Sequence, residues 1–191
     1  MSALIALKGG SSQRGETVPM YECIGSERKS AVQAIALVCM AWLALSAGVL
    51  LYLVDRPAGV AWLIPALPAL QGMGLFGSVG AWLPSFVHPF GFGLLTAVAL
   101  PAGAIWRYGA CLGWFVVNAA FEFGQLPQWA PRLADAIHAL FGPSPVGERL
   151  AWYFLRGSFG LDDLAAAAGG ALCAALLLRL TGAIGDDRHA R

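Results

Sequence analysis

The feature that most limits what this chain can become is the recurrence of apolar runs about as long as a bilayer core is thick. A helix needs about 20 residues to cross that core. Four stretches, roughly 31–54, 86–106, 108–126 and 162–181, meet the requirement. Lipid offers the backbone no hydrogen-bond partner, so each crossing must satisfy its own N–H and C=O groups as a helix. Composition agrees, with 58% hydrophobic and only 12% charged residues, against about 25% charged in soluble domains. The expected fold is all-α: a polytopic membrane bundle of about four transmembrane helices with short interfacial helices. In that reading residues 1–30 are a tail, 31–181 the transmembrane domain and 182–191 a second tail.

Segment 57–84 is also apolar, but Pro57, Pro65, Pro68 and Pro84 interrupt it, and proline costs a helix interior about 3 kcal/mol. It reads as a re-entrant or interfacial piece, or as a fifth span. Charge favours the former. With four spans and the N-terminus inside, eight of the twelve basic residues are cytoplasmic, leaving Arg56, Arg132, Arg149 and Arg156 outside. A fifth span at 57–84 nearly abolishes that bias, which the positive-inside rule requires. The short apolar start of the N-terminus is too brief for a signal peptide. The expected location is therefore the cell membrane, multi-pass, with both termini cytoplasmic and residues 127–160 outside.

Within 127–160, "PRLADAIHALFG" opens with a proline suited to a first helical turn. It sets Leu133, Ile137 and Leu140 opposite Arg132, Asp135 and His138, the pattern of a helix lying in the interface. "PSP" at 143–145 breaks it, and "ERLAWYFLRG" predicts a second short helix with Trp152 and Tyr153 at headgroup level.

Polar residues inside the apolar runs are the candidates for function, because an ionisable group at membrane depth costs about 2.5–3.5 kcal/mol on insertion scales. Asn118, Glu122 and Gln125 are spaced by four and three, so on a helix they share one face. In the four-span topology His88 falls at the outer start of the second span, Glu122 and Gln125 at the outer end of the third, and Asp162 with Asp163 at the outer start of the fourth. All lie at one membrane face. Asp162 and Asp163 also suit a first helical turn, where the helix dipole stabilises acids, and Asn118 suits helix-to-helix hydrogen bonding. Close approach is expected through Gly91, Gly93 and Ala97, through Gly109 and Gly113, and through Ala166, Gly170 and Ala174, three small-residue surfaces.

Scattered basic residues and a net charge of +1 argue against nucleic acid. Cys39, Cys111 and Cys173 sit in apolar runs without a CxxC pair and read as packing residues. His88, Glu122, Asp162 and Asp163 fit no metal spacing, so neither metal nor cofactor is expected.

Three motifs in order, "SFVHPFGFGLLTAVAL", "FEFGQ" and "RGSFGLDDLAAAAGGALCA", resemble the signatures of the VanZ-like family of bacterial polytopic membrane proteins over residues 81–181. Glu122 and Gln125 match its Glu-x-x-Gln pair, Arg156 and Phe159 the approach to its last span, Asp163 its acidic residue, and Gly169 and Gly170 its glycines. Gly160 stands where the family often carries a second acid, and Ala167 where it carries an asparagine. The resemblance implies a cell-envelope protein of the bacterial inner membrane, since the family takes its name from a glycopeptide-resistance accessory protein.

Two functions follow. One is a non-catalytic envelope accessory or partner-binding protein, with the polar residues locking the helices together. The other is a membrane enzyme or ligand-handling protein. It would act on a lipid-linked or cell-envelope substrate, with Glu122 and Asp163 as the catalytic candidates and His88, Asn118, Gln125, Arg156 and Asp162 as binding residues. Expected partners are membrane lipids and either lipid-linked envelope molecules or another membrane protein.

Overall fold

The computed structural model of the protein describes residues 20–55, 74–101 and 103–182, with side chains from Ser30 onward. Residues 1–19 and 183–191 of the expected tails, and 57–73 of the proline-broken segment, lie outside the described residues. Six helices and no strand occur among the described residues: α1 (Met20–Val54), α2 (Val79–Ala99), α3 (Ala104–Gly124), α4 (Ala130–Phe141), α5 (Pro145–Arg156) and α6 (Leu161–Leu180). The all-helical class read from the apolar runs is the class observed.

Among the described residues three helical stretches are long and apolar enough to cross a membrane: Ser30–Val54, Val79–Ala99 and Leu161–Leu180. Four had been counted from sequence. The remaining one, α3, has the same 21 residues as α2, but Arg107, Asn118 and Glu122 reduce its apolarity. It packs against both α2 and α6. Many large apolar side chains face outward, among them Ile35, Trp42, Leu43, Ile105, Leu112 and Leu172. In water such a surface is an interaction or aggregation site; in a bilayer it is the lipid face.

The second span differs from the sequence expectation at both ends. It starts at Val79 rather than near 86, carries Pro84 and Pro89 inside the helix, and stops at Ala99. Both prolines are buried, and a proline inside a membrane helix is tolerated where neighbouring helices and local adjustments satisfy the freed backbone groups. One consequence is that His88 lies at the middle of α2, not at its start. Likewise α1 begins at Met20, inside the stretch read as tail.

Helices α1 and α2 run antiparallel in close contact. A Cβ on Gly48 would lie 2.9 Å from Val87, and one on Gly91 would lie 2.6 Å from Leu45. Helices α2 and α6 run side by side, and a Cβ on Gly170 would collide with the backbone carbonyl of Phe86. Lipid removes the hydrophobic drive for helix association, so approach of this kind, gaining dispersion contacts between backbones, is what holds such helices together. The expected glycine surface on α3 is corrected. Gly109 and Gly113 are exposed, with nothing within 4 Å of a Cβ at either. In its first half α3 buries Ala110 and Cys111 instead, with Gly93 of α2 against the Cys111 backbone.

The result is a bundle with two unlike ends. Where α1 enters and α6 leaves, Leu37, Ala41, Leu94, Ala97, Ala110, Cys111, Ala174 and Leu178 form a dry core. At the other end α1 stops, α2 starts, α3 stops and α6 starts, and there the α4–α5 hairpin closes over the bundle. Ser144 caps α5 by accepting from the Gly147 N–H at 3.1 Å, with Pro145 in the first turn. The hairpin has its own small core of Ala130, Ala134, Ile137, Ala151 and Phe154. Of the apolar row expected on α4, Ile137 is buried and Leu133 half-buried, whereas Leu140 is exposed. Ala130 and Ala134, on the preceding turns, carry the contact instead. Phe154 docks the hairpin, stacking on Phe121 with centroids 5.7 Å apart and leaving no room for a side chain at Gly124.

Candidate functional site

The hairpin end of the bundle contains a cleft of about 390 Å³, within the roughly 300–1,000 Å³ range of ligand sites. α2 contributes Ser85, His88 and Phe92, α3 contributes Trp114, Asn118, Phe121 and Glu122, α1 contributes Tyr52, and α5 contributes Leu150 and Tyr153. Its deep wall is an aromatic ladder. His88 stacks on Phe92 at 6.0 Å between centroids, Phe92 stacks on Trp114 at 4.7 Å, and the Trp114 indole N–H donates to Thr96 Oγ1 at 2.9 Å. That last bond spans α2 and α3, fixing the ring that both helices share.

Glu122 and Gln125 are the only side chains in the buried polar class among the described residues, at 9% and 8% exposure. The i, i+3 spacing near the end of α3 aims both inward, as expected. The Gly160 N–H donates to Glu122 Oε2 at 3.3 Å, joining the end of α3 to the start of α6. Gln125 hydrogen-bonds the Tyr153 side chain. Its carboxamide also lies where a Cβ on Gly157 would be, so glycine is required there by close approach. Ser85 Oγ donates to Asp163 Oδ1 at 2.7 Å, tying α2 to α6. Asp163 is near enough to Glu122 for the two carboxylates to interact electrostatically.

Glu122, Gln125 and Asp163 therefore form one polar cluster, and His88 and Asn118 line the cleft beside it. Asn118 spends its amide N–H on the Trp114 carbonyl of its own helix, at 2.9 Å. Two expected members stand apart. Asp162 is exposed in the first turn of α6 with no hydrogen bond or ion pair among the described residues, as the dipole alone would place an acid. Arg156 is exposed at the last turn of α5 and has no partner among the described residues. Among the described residues no three His, Cys, Asp or Glu side chains gather as a metal site.

Tyr52, Ser85 and Trp114 are wall residues that sequence reasoning missed. Ser85 and Asp163 are 78 positions apart, and no local pattern pairs them. Tyr52 carried a signal, as an aromatic at the end of an apolar run, where membrane-interface rings gather. Asp55 was also missed. It accepts from the Leu75 and Phe76 N–H groups at 2.9 and 2.8 Å, fixing the approach to α2 against the end of α1.

The fold and this cleft define a class: a helical membrane protein with a part-buried, aromatic-walled site at one end. No family model, curated protein or solved structure matches the chain.

Proposed function

We propose that the protein is a VanZ-like cell-envelope membrane protein that binds an amphiphilic molecule in the cleft, with the polar part at Glu122 and the apolar part along Phe92, Trp114 and Phe121. The observation that carries this reading is the cleft itself, mostly apolar in lining with a few convergent polar groups, the usual build of a ligand site. Its lining comes from α2, α3, α5 and the end of α1. In this reading α3 crosses the membrane with its neighbours, both termini are cytoplasmic and the hairpin is at the outer face, in keeping with the eight-to-four split of basic residues.

Binding is favoured over catalysis because both carboxylates are already engaged as acceptors, Glu122 from Gly160 and Asp163 from Ser85. Those two bonds also favour a second reading, an interhelical polar lock without a ligand. A lock has no need of an aromatic-walled cleft beside it, which supports the ligand reading over the lock. The test is native mass spectrometry of the protein extracted from its own membrane in mild detergent. The wild-type protein carries one amphiphile per chain, and the cleft-filling variant Asn118→Trp, folded by its thermal unfolding profile, does not. A wild-type chain free of adducts, or equal retention by both, overturns the proposal.

A further inference from the structure

The walls of the cleft also state what kind of polar head fits. Among the described residues the one acidic lining residue is Glu122, Asp163 accepts from the lining Ser85, and no lysine or arginine is in the lining. Arg156, a binding candidate from sequence, is exposed and outside the lining. An anionic head such as a phosphate would enter with two carboxylates near it and, among the described residues, no lysine or arginine in the wall beside His88. In a site of low dielectric that juxtaposition costs several-fold more than in water.

The remaining surface has the opposite preference. Tyr52, Phe92, Trp114, Phe121 and Tyr153 surround the space beside Glu122. Aromatic faces carry negative charge density and attract cations, and quaternary ammonium recognition is the common use of such walls. We infer that the cleft selects amphiphiles with an ammonium head, held by the Glu122 carboxylate and the aromatic rings, over amphiphiles with a phosphate head. This rests on the reading of the cleft as a ligand site and names the substrate class for it.

The test compares two probes of equal chain length, octyltrimethylammonium and octyl phosphate, by equilibrium titration of the full chain in maltoside micelles. The ammonium probe binds about tenfold or more tightly than the phosphate probe, an expectation in line with a desolvated cation–aromatic contact. Glu122→Gln, which keeps shape and the acceptor for Gly160, reduces the preference to about threefold or less while the protein stays folded. Equal binding of both probes overturns the charge selectivity and leaves the ligand site standing. Tighter binding of octyl phosphate, or an ammonium preference unchanged in Glu122→Gln, also overturns it. Failure of both probes to bind overturns the ligand site along with the selectivity.

Discussion

Replacing Gly170 with alanine adds one methyl group at the tightest helix crossing in the bundle. The new Cβ would fall on the Phe86 carbonyl oxygen, 3.1 Å from the carbonyl carbon and 3.3 Å from Phe86 Cα. All three are backbone atoms, so no rotamer change relieves the contact and α2 and α6 must separate. Overpacking of this kind costs about 1–3 kcal/mol, and the better helix propensity of alanine returns about 0.8–1 kcal/mol. The net loss is about 0–2 kcal/mol, which for a chain of this size lowers the unfolding temperature by up to about 8 °C. The neighbouring Gly169 is the control, since its Cβ would meet the Phe86 ring at 3.8 Å, an ordinary contact. Thermal unfolding in detergent, followed by circular dichroism, should show Gly170→Ala destabilised and Gly169→Ala unchanged or slightly stabilised. Equal midpoints for the two variants would refute the argument that α2 and α6 meet backbone to backbone.

Glu122→Leu removes the acceptor for the part-buried Gly160 N–H, a loss of about 1 kcal/mol on the scale where a fully buried unpaired donor costs about 1–3 kcal/mol. Glu122→Gln retains an acceptor, so the same unfolding assay should place it well above the leucine variant; equal losses would mean that the bond contributes nothing. Phe154→Ala removes the ring that docks the hairpin on α3, a loss of about 3–5 kcal/mol for a core aromatic. Hydrogen exchange should quicken in α4 and α5 while α2 and α6 keep their protection, and uniform quickening would show that the hairpin is not a separable unit. Single cysteines at Ser12 and Ser158, in a background without the native cysteines, should react oppositely with a membrane-impermeant thiol reagent, only Ser158→Cys labelling from outside. Labelling of both from outside would sink the proposed orientation.

The apolar runs were enough to read the fold class, because lipid leaves the backbone so few choices. The inward aim of Glu122 and Gln125 was equally legible, since helical periodicity converts their spacing into a shared face. Boundaries were harder. Pro84 and Pro89 argued for a later start to α2, and only the packing of neighbouring helices, which sequence does not display, shows why the helix accepts them. Gly109 and Gly113 look like Gly91 and Gly170 in sequence, yet only the second pair touches another helix, and which face of a helix meets a neighbour is a tertiary fact. The cleft was legible in part. Its polar residues stood out against an oily background, while its aromatic walls were hidden among the many rings of an apolar chain. Arg156 stands apart from the cluster because adjacency in a motif does not fix where a long side chain at a helix end points.

The central claim is that the cleft beside Glu122 holds a selected amphiphile, and photo-crosslinking inside the native membrane tests it most directly. A diazirine amino acid in place of Val117 looks into the cleft, whereas one in place of Val116, the next residue on α3 and 54% exposed, is outside its lining. The adducts, identified by mass spectrometry, should differ. Position 116 should capture lipids in proportion to the surrounding membrane, and position 117 should be enriched in one class of amphiphile, with the enrichment lost in Glu122→Gln. Adducts at 117 that mirror the bulk lipid as closely as those at 116 would contradict the account.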